Sequence, residues 1–170
     1  MDTKSASPWS SGPKEILRHG LGLLSKDTDT NRRLAMIIVD NAVELMIKTF
    51  LGLPKRVTGL NISRAKAAEI MESFPRLLDA LEEYAPDKLY CVNLGEIEWY
   101  HRLRNQLYHQ GNCLTVEREN VEIYAELAKL LFLRLFDEEL EINVSKEVEA
   151  LGEFIFRWSK FERGFINYSE

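Results

Sequence analysis

Apolar residues recur along this chain at three- and four-residue steps, the period of amphipathic helices, and strand-like alternation is scarce. The clearest run is "RRLAMIIVDNAVELMIKTFLGL". In it Leu34, Ile37, Ile38, Ala42, Leu45, Met46 and Leu51 form a stripe wide enough for the central helix of a bundle. Asp29 or Thr30 suits its cap, and Gly52 and Pro54 its stop. Upstream, a shorter helix is expected after Pro13, with Ile16, Leu17, Leu21 and Leu24 facing inward. Residues 55–62 read as a loop. Ser63 caps "RAKAAEIMESF", and Pro75 either kinks that helix or starts another with Ser73 as its cap. "RLLDALEEYA" stays helical to Pro86, and Asn93 or Gly95 opens a helix that stops near Gly111. Thr115 is the expected cap of the helix holding "VEIYAELAKLLFLRLF", with Glu117 and Glu119 in a first turn where carboxylates complement the dipole. A last helix, "EVEALGEFIFRWSKFERGFINY", sets Phe154, Trp158, Phe161 and Phe165 at helical spacing, for core packing or for a partner surface.

These elements predict an all-α fold: an antiparallel helical bundle of four main helices with one or two flanking helices. The expected organisation is a disordered tail over residues 1–12, the bundle over 13–138, and an acidic linker with a C-terminal helix over 139–170. That last helix is expected to pack on the bundle or on a dimer.

Composition narrows the function classes. With 170 residues, 45% hydrophobic and 29% charged, the chain supports one domain with a real core. No apolar run reaches the ~18 residues that span a bilayer. The first residues lack the apolar stretch of a secretory signal. A cytoplasmic protein with reduced thiols at Cys91 and Cys113 is expected, and no membrane partner. His101 and His109 stand eight apart rather than one turn apart, so neither metal nor other cofactor is expected. The net charge of −5 does not favour nucleic acid globally. However, "DEELEINVSKEVEALGE" alone carries seven carboxylates against one lysine, so the rest is near neutral and can hold a local positive site.

Such a site is suggested by "YHRLRNQLYHQG", residues 100–111. On a helical wheel Trp99, Tyr100, Leu103 and Leu107 share one side, taken as the packed one. Arg104, Tyr108, His101, Asn105 and His109 then lie around the other, with Arg102 bordering it. Glu and Lys, the usual filling of a solvated face, are absent from 99–110. A guanidinium binds phosphate oxygens bidentately, and an imidazole exchanges protons near neutral pH. Together they suit metal-free cleavage of RNA. Histidine takes the 2′-hydroxyl proton, the oxygen attacks the adjacent phosphate, and arginine stabilises the charge that develops. With one histidine per copy in that role, another group must protonate the departing 5′-oxygen, and a second subunit across a two-fold axis is one source.

The stretch "RNQLYH", Arg104 to His109, resembles the Arg-x(4–6)-His motif of the HEPN superfamily, in which a polar residue such as Asn105 commonly follows the arginine. "EWYHRLRNQLYHQGN" resembles the motif helix of prokaryotic members, and "MIIVDNAVELMIKTFLG" an early bundle helix of the core. The resemblance covers roughly residues 30–136. It implies an all-α bundle that dimerises around two facing motif helices and acts as a metal-independent endoribonuclease in a toxin–antitoxin or phage-defence setting. It makes Arg104 and His109 catalytic, with Asn105 assisting. His101, Arg102 and Tyr108 are taken to line the substrate cleft. The implied partners are RNA, as tRNA or mRNA, a second copy of the chain, and an antitoxin or another defence protein. A HEPN-like domain that binds RNA, nucleotide or protein without cutting is the competing reading. Both require Arg104 and His109 to aim outward into a shared space; locked to nearby carboxylates, they would leave only a bundle of helices. On the outward reading, alanine at either position leaves the fold intact.

Overall fold

The hydroxyl of Thr28, one residue before the expected caps, starts the central helix by accepting from the Asn31 N–H at 3.2 Å. The computed structural model describes residues 7–110 and 115–140, with side chains described over 7–107 and 115–140. The described residues are all-helical: seven α-helices, no strand, and no helix long and apolar enough to cross a membrane. They are α1 (Ser11–Leu24), α2 (Asp29–Gly52), α3 (Lys55–Thr58), α4 (Arg64–Ile70), α5 (Phe74–Tyr84), α6 (Leu94–Gln110) and α7 (Arg118–Phe136). All seven belong to one unit, which ends at Glu139. The stop at Gly111, Cys113, and the expected linker and C-terminal helix beyond residue 140 lie outside the described residues.

Local chemistry accounts for most boundaries. Gly52 ends α2 because Leu53 precedes Pro54 and must turn extended. Part of the expected 55–62 loop is instead the single turn α3, closed by Gly59 at φ +78°, a left-handed position that suits glycine. Ser63 caps α4 as predicted, accepting from the Lys66 N–H. Pro75 begins a separate helix rather than kinking one. Asn93 opens α6: its Oδ1 accepts from the Glu96 N–H at 3.3 Å while its amide donates back to the Glu96 carboxylate. Thr115 is not a cap; α7 starts three residues later, from Glu117.

The N-terminal expectation also needs correcting. From Ser7 the chain is turn and then helix, not open tail, and α1 begins at Ser11 with Pro13 buried inside its first turn. Glu138, just past α7, holds this start: Oε1 accepts from the Ser7 N–H and the buried Ser10 hydroxyl, each at 2.8 Å. Burial pushes the Glu138 carboxyl up, but these donors together with Lys14 outweigh it and hold it below the usual carboxylate range.

α2 is the axis of the bundle, packed by α1, α5, α6 and α7. Its buried face differs from the expected stripe. Leu34 is exposed and Ile37, Ile38 and Leu45 are half-buried, whereas Met36, Val39, Val43, Met46, Ile47 and Phe50 fill the core with Leu77, Leu81, Leu131 and Phe132. Crowding by several helices widens the apolar band beyond one stripe. α1 lies close against α2 at Gly20, where a Cβ would come within 3.0 Å of a Val39 methyl. One fully buried position on α2 is neither apolar nor small: Asp40.

Candidate functional site

α6 presents a different face from the one its hydrophobic pattern suggests. Trp99 is 52% exposed and Leu103 half-buried, while Leu94, Ile97, Tyr100 and Leu107 are buried. The inward seam is thus rotated, and His101 and Arg104 lie on it rather than opposite it. Polar residues occupy a packed seam only when a polar partner faces them. Here the partner is Asp40 of α2.

Asp40 is the hub of the site. His101 Nδ1 lies 3.1 Å from both of its oxygens, and the Tyr124 hydroxyl on α7 donates to Oδ1 at 2.7 Å. Arg104 Nε is 3.2 Å from Oδ2, an ion pair whose N–H is not aligned as a hydrogen bond. The Arg104 guanidinium is held at two further corners. Nη1 donates to Asn105 Oδ1 at 2.9 Å, and Nη2 donates to Asn41 Oδ1 on α2. Its side chain keeps 19% of its exposure and that of His101 keeps 14%. The His101 ring stacks on Phe74 of α5, centroids 3.8 Å apart and planes 9° apart. Behind Asp40, the Tyr124 ring stacks on Tyr100 at 4.7 Å. Burial first, and then the Asp40 charge and hydrogen bond, push the Tyr124 hydroxyl well above the ordinary tyrosine value. Burial, with Glu96 and Glu119 nearby, does the same to Tyr100.

The structure therefore brings Arg104, His101 and Asn105 together and sets Arg102 apart. Arg102 is exposed and pairs along its own helix with Glu98 at 2.5 Å, so it is withdrawn from the candidate cleft. Tyr108 and His109 continue α6, but their side chains lie outside the described residues. Arg104 does not simply aim outward; it leans back on a carboxylate, and the expectation that alanine there leaves the fold intact no longer holds. Periodicity alone missed Asp40, Asn41 and Tyr124 as parts of the site. "VDNAV" in the middle of an apolar helix carries the signal: a fully buried Asp40 beside a half-buried Asn41 needs partners.

One trio here has metal-ligand chemistry. Asp40, Glu44 and His101 offer ligand atoms within 4.8 Å of one another. The Arg104 cation beside Asp40 opposes a second cation, and Glu44 is already paired with Lys48 at 2.5 Å. The arrangement suits an anion or a proton relay better than an ion of positive charge.

Leu107 closes the seam below Arg104 and is 7% exposed. Its replacement by alanine is expected to cost about 2–5 kcal/mol, read from the urea midpoint. A change near zero would mean that α6 does not pack through this edge.

No family model, curated protein or solved structure matches the chain.

Proposed function

We propose that the protein is a HEPN-type, metal-independent endoribonuclease, acting in the cytoplasm as a homodimer in a toxin–antitoxin or phage-defence setting. Arg104 contacts the buried Asp40, and that contact counts against a nuclease; what supports the reading is that its side chain keeps 19% exposure and that amide oxygens, not carboxylates, hold both of its terminal nitrogens. Its guanidinium is fixed in orientation by Asp40, Asn41 and Asn105, and it stands on the same helix as His109, five residues away. A donor array held before the substrate arrives needs no reorganisation as charge develops on the phosphoryl group. In this reading Arg104 faces the non-bridging oxygens, Asn105 assists it, and His109 takes the 2′-hydroxyl proton.

The carboxylate at the site argues for the other reading, a HEPN-like domain that binds RNA, nucleotide or a protein partner without cutting. Asp40 offsets the Arg104 charge, and the whole chain carries −5. The nuclease reading stands because the Asp40 oxygens are shared among Arg104, His101 and Tyr124.

Purified protein incubated with total RNA in EDTA is expected to yield 2′,3′-cyclic phosphate and 5′-hydroxyl ends. His109→Ala, with its melting checked, is expected to yield none. Binding of RNA without new ends supports the second reading. Loss of cleavage on adding EDTA overturns the metal-free mechanism.

A further inference from the structure

We propose that His101 is a second catalytic group of this site, the acid that protonates the departing 5′-oxygen. The inference rests on the ribonuclease reading and supplies the step for which that reading otherwise calls on a partner copy.

Cleavage by 2′-hydroxyl attack needs two proton transfers. The O2′–P bond forms and its proton passes to His109. The P–O5′ bond breaks and O5′ must gain a proton, here the one on His101 Nε2. The products are a 2′,3′-cyclic phosphate and a 5′-hydroxyl, and both imidazoles regain their starting state by exchange with water. No metal, oxidant or co-reactant enters.

Three contacts set His101 up for this. Asp40 behind Nδ1, at 3.1 Å to each oxygen, makes that nitrogen the donor within the fold and leaves Nε2 as the one that exchanges protons. Phe74, parallel to the ring at 3.8 Å, fixes its plane. The Tyr124 hydroxyl, 2.7 Å from Oδ1, fixes the carboxylate in turn. His101 also stands three residues before Arg104 on α6, and both lie against the same carboxylate. In this proposal the phosphate sits between the guanidinium and the outer nitrogen of this imidazole. Among the described residues, Asp40 and Glu44 of α2 lie beside His101, Phe74 of α5 stacks on its ring, and Arg104 of α6 and the Tyr124 hydroxyl of α7 reach the same Asp40 carboxylate.

The test uses the full chain and two short RNAs that differ at one linkage. One is ordinary, and the other has sulfur in place of the bridging 5′-oxygen, so that its leaving thiolate needs no proton. His101→Asn keeps an N–H towards Asp40 but cannot act at Nε2. It is expected to slow the ordinary RNA about 10²–10⁴-fold and to cut the sulfur-linked RNA at close to the wild-type rate. His109→Ala is expected to slow both alike. Equal slowing of both by His101→Asn overturns the proposal and makes His101 a structural partner of Asp40, as does no slowing of either. Should the asparagine variant be unfolded, His101→Gln is measured in its place with the same two outcomes. A wild-type protein that cuts neither RNA removes the ribonuclease reading itself; His101 variants that cut both at the wild-type rate remove only this inference.

Discussion

Replacing Arg104 by alanine is expected to destabilise the protein by about 3 kcal/mol, the lower end of the 3–5 kcal/mol that follows when one partner of a buried ion pair is removed. Asp40 is fully buried, so its carboxylate cannot recover hydration once the guanidinium is gone. Tyr124 and His101 remain as donors, and Arg104 itself keeps 19% exposure, which places the cost at the lower end. For a domain of this size the shift in Tm is roughly 10 °C. The check is urea unfolding of Arg104→Ala beside Asp40→Asn and the double variant. The double variant is expected to recover part of the loss, because it no longer buries an unpaired charge. A wild-type midpoint in Arg104→Ala would instead make the guanidinium a surface group. On the proposed ribonuclease reading, lost activity in Arg104→Ala or in a His101 variant says little until folding is measured, because both residues lean on the same buried carboxylate.

This reversal shows where the sequence was legible and where it was not. The helical class, α2 with its stop at Gly52 and Pro54, the Ser63 cap and the Asn93 opening of α6 all follow from short-range chemistry between residues a few positions apart. Those signals act within one turn and depend little on tertiary context, although the Thr115 cap, a signal of the same kind, is not used. The facing of α6 does not. Its apolar residues permit two seams, one through Trp99, Leu103 and Leu107 and one through Leu94, Ile97 and Leu107. The second is chosen because Asp40, 61 residues before His101, makes a polar seam affordable. Periodicity counts His101 and Arg104 as outward because it cannot see the carboxylate that draws them in. The same blindness sent Arg102 to the cleft edge, whereas Glu98 one turn away keeps it on the surface. The residue types mark α6 as unusually polar, and only its partner on α2 sets which way it faces.

Tyr124 gives the second large effect, and it separates the hydroxyl from the ring. The ring is fully buried and stacked on Tyr100, so Tyr124→Ala is expected to cost about 3–5 kcal/mol. Tyr124→Phe keeps the ring and removes the 2.7 Å hydrogen bond to Asp40, which predicts a loss of about 1.5–3 kcal/mol for a bond to a charged group. The two variants also differ from wild type in alkaline behaviour. Both Tyr124 and Tyr100 are raised above their ordinary value in the folded protein, chiefly by burial. Where the folded value exceeds the unfolded one, the neutral phenol's contribution is complete below about pH 10 and is lost as the pH rises towards the folded value. Wild-type stability is therefore expected to fall from pH 9 to pH 11 more steeply than that of Tyr124→Phe, which retains only the Tyr100 contribution. Urea midpoints across that range measure it. Parallel curves would mean that Tyr124 ionises as readily folded as unfolded, and that the Asp40 cluster is open to water from the α7 side.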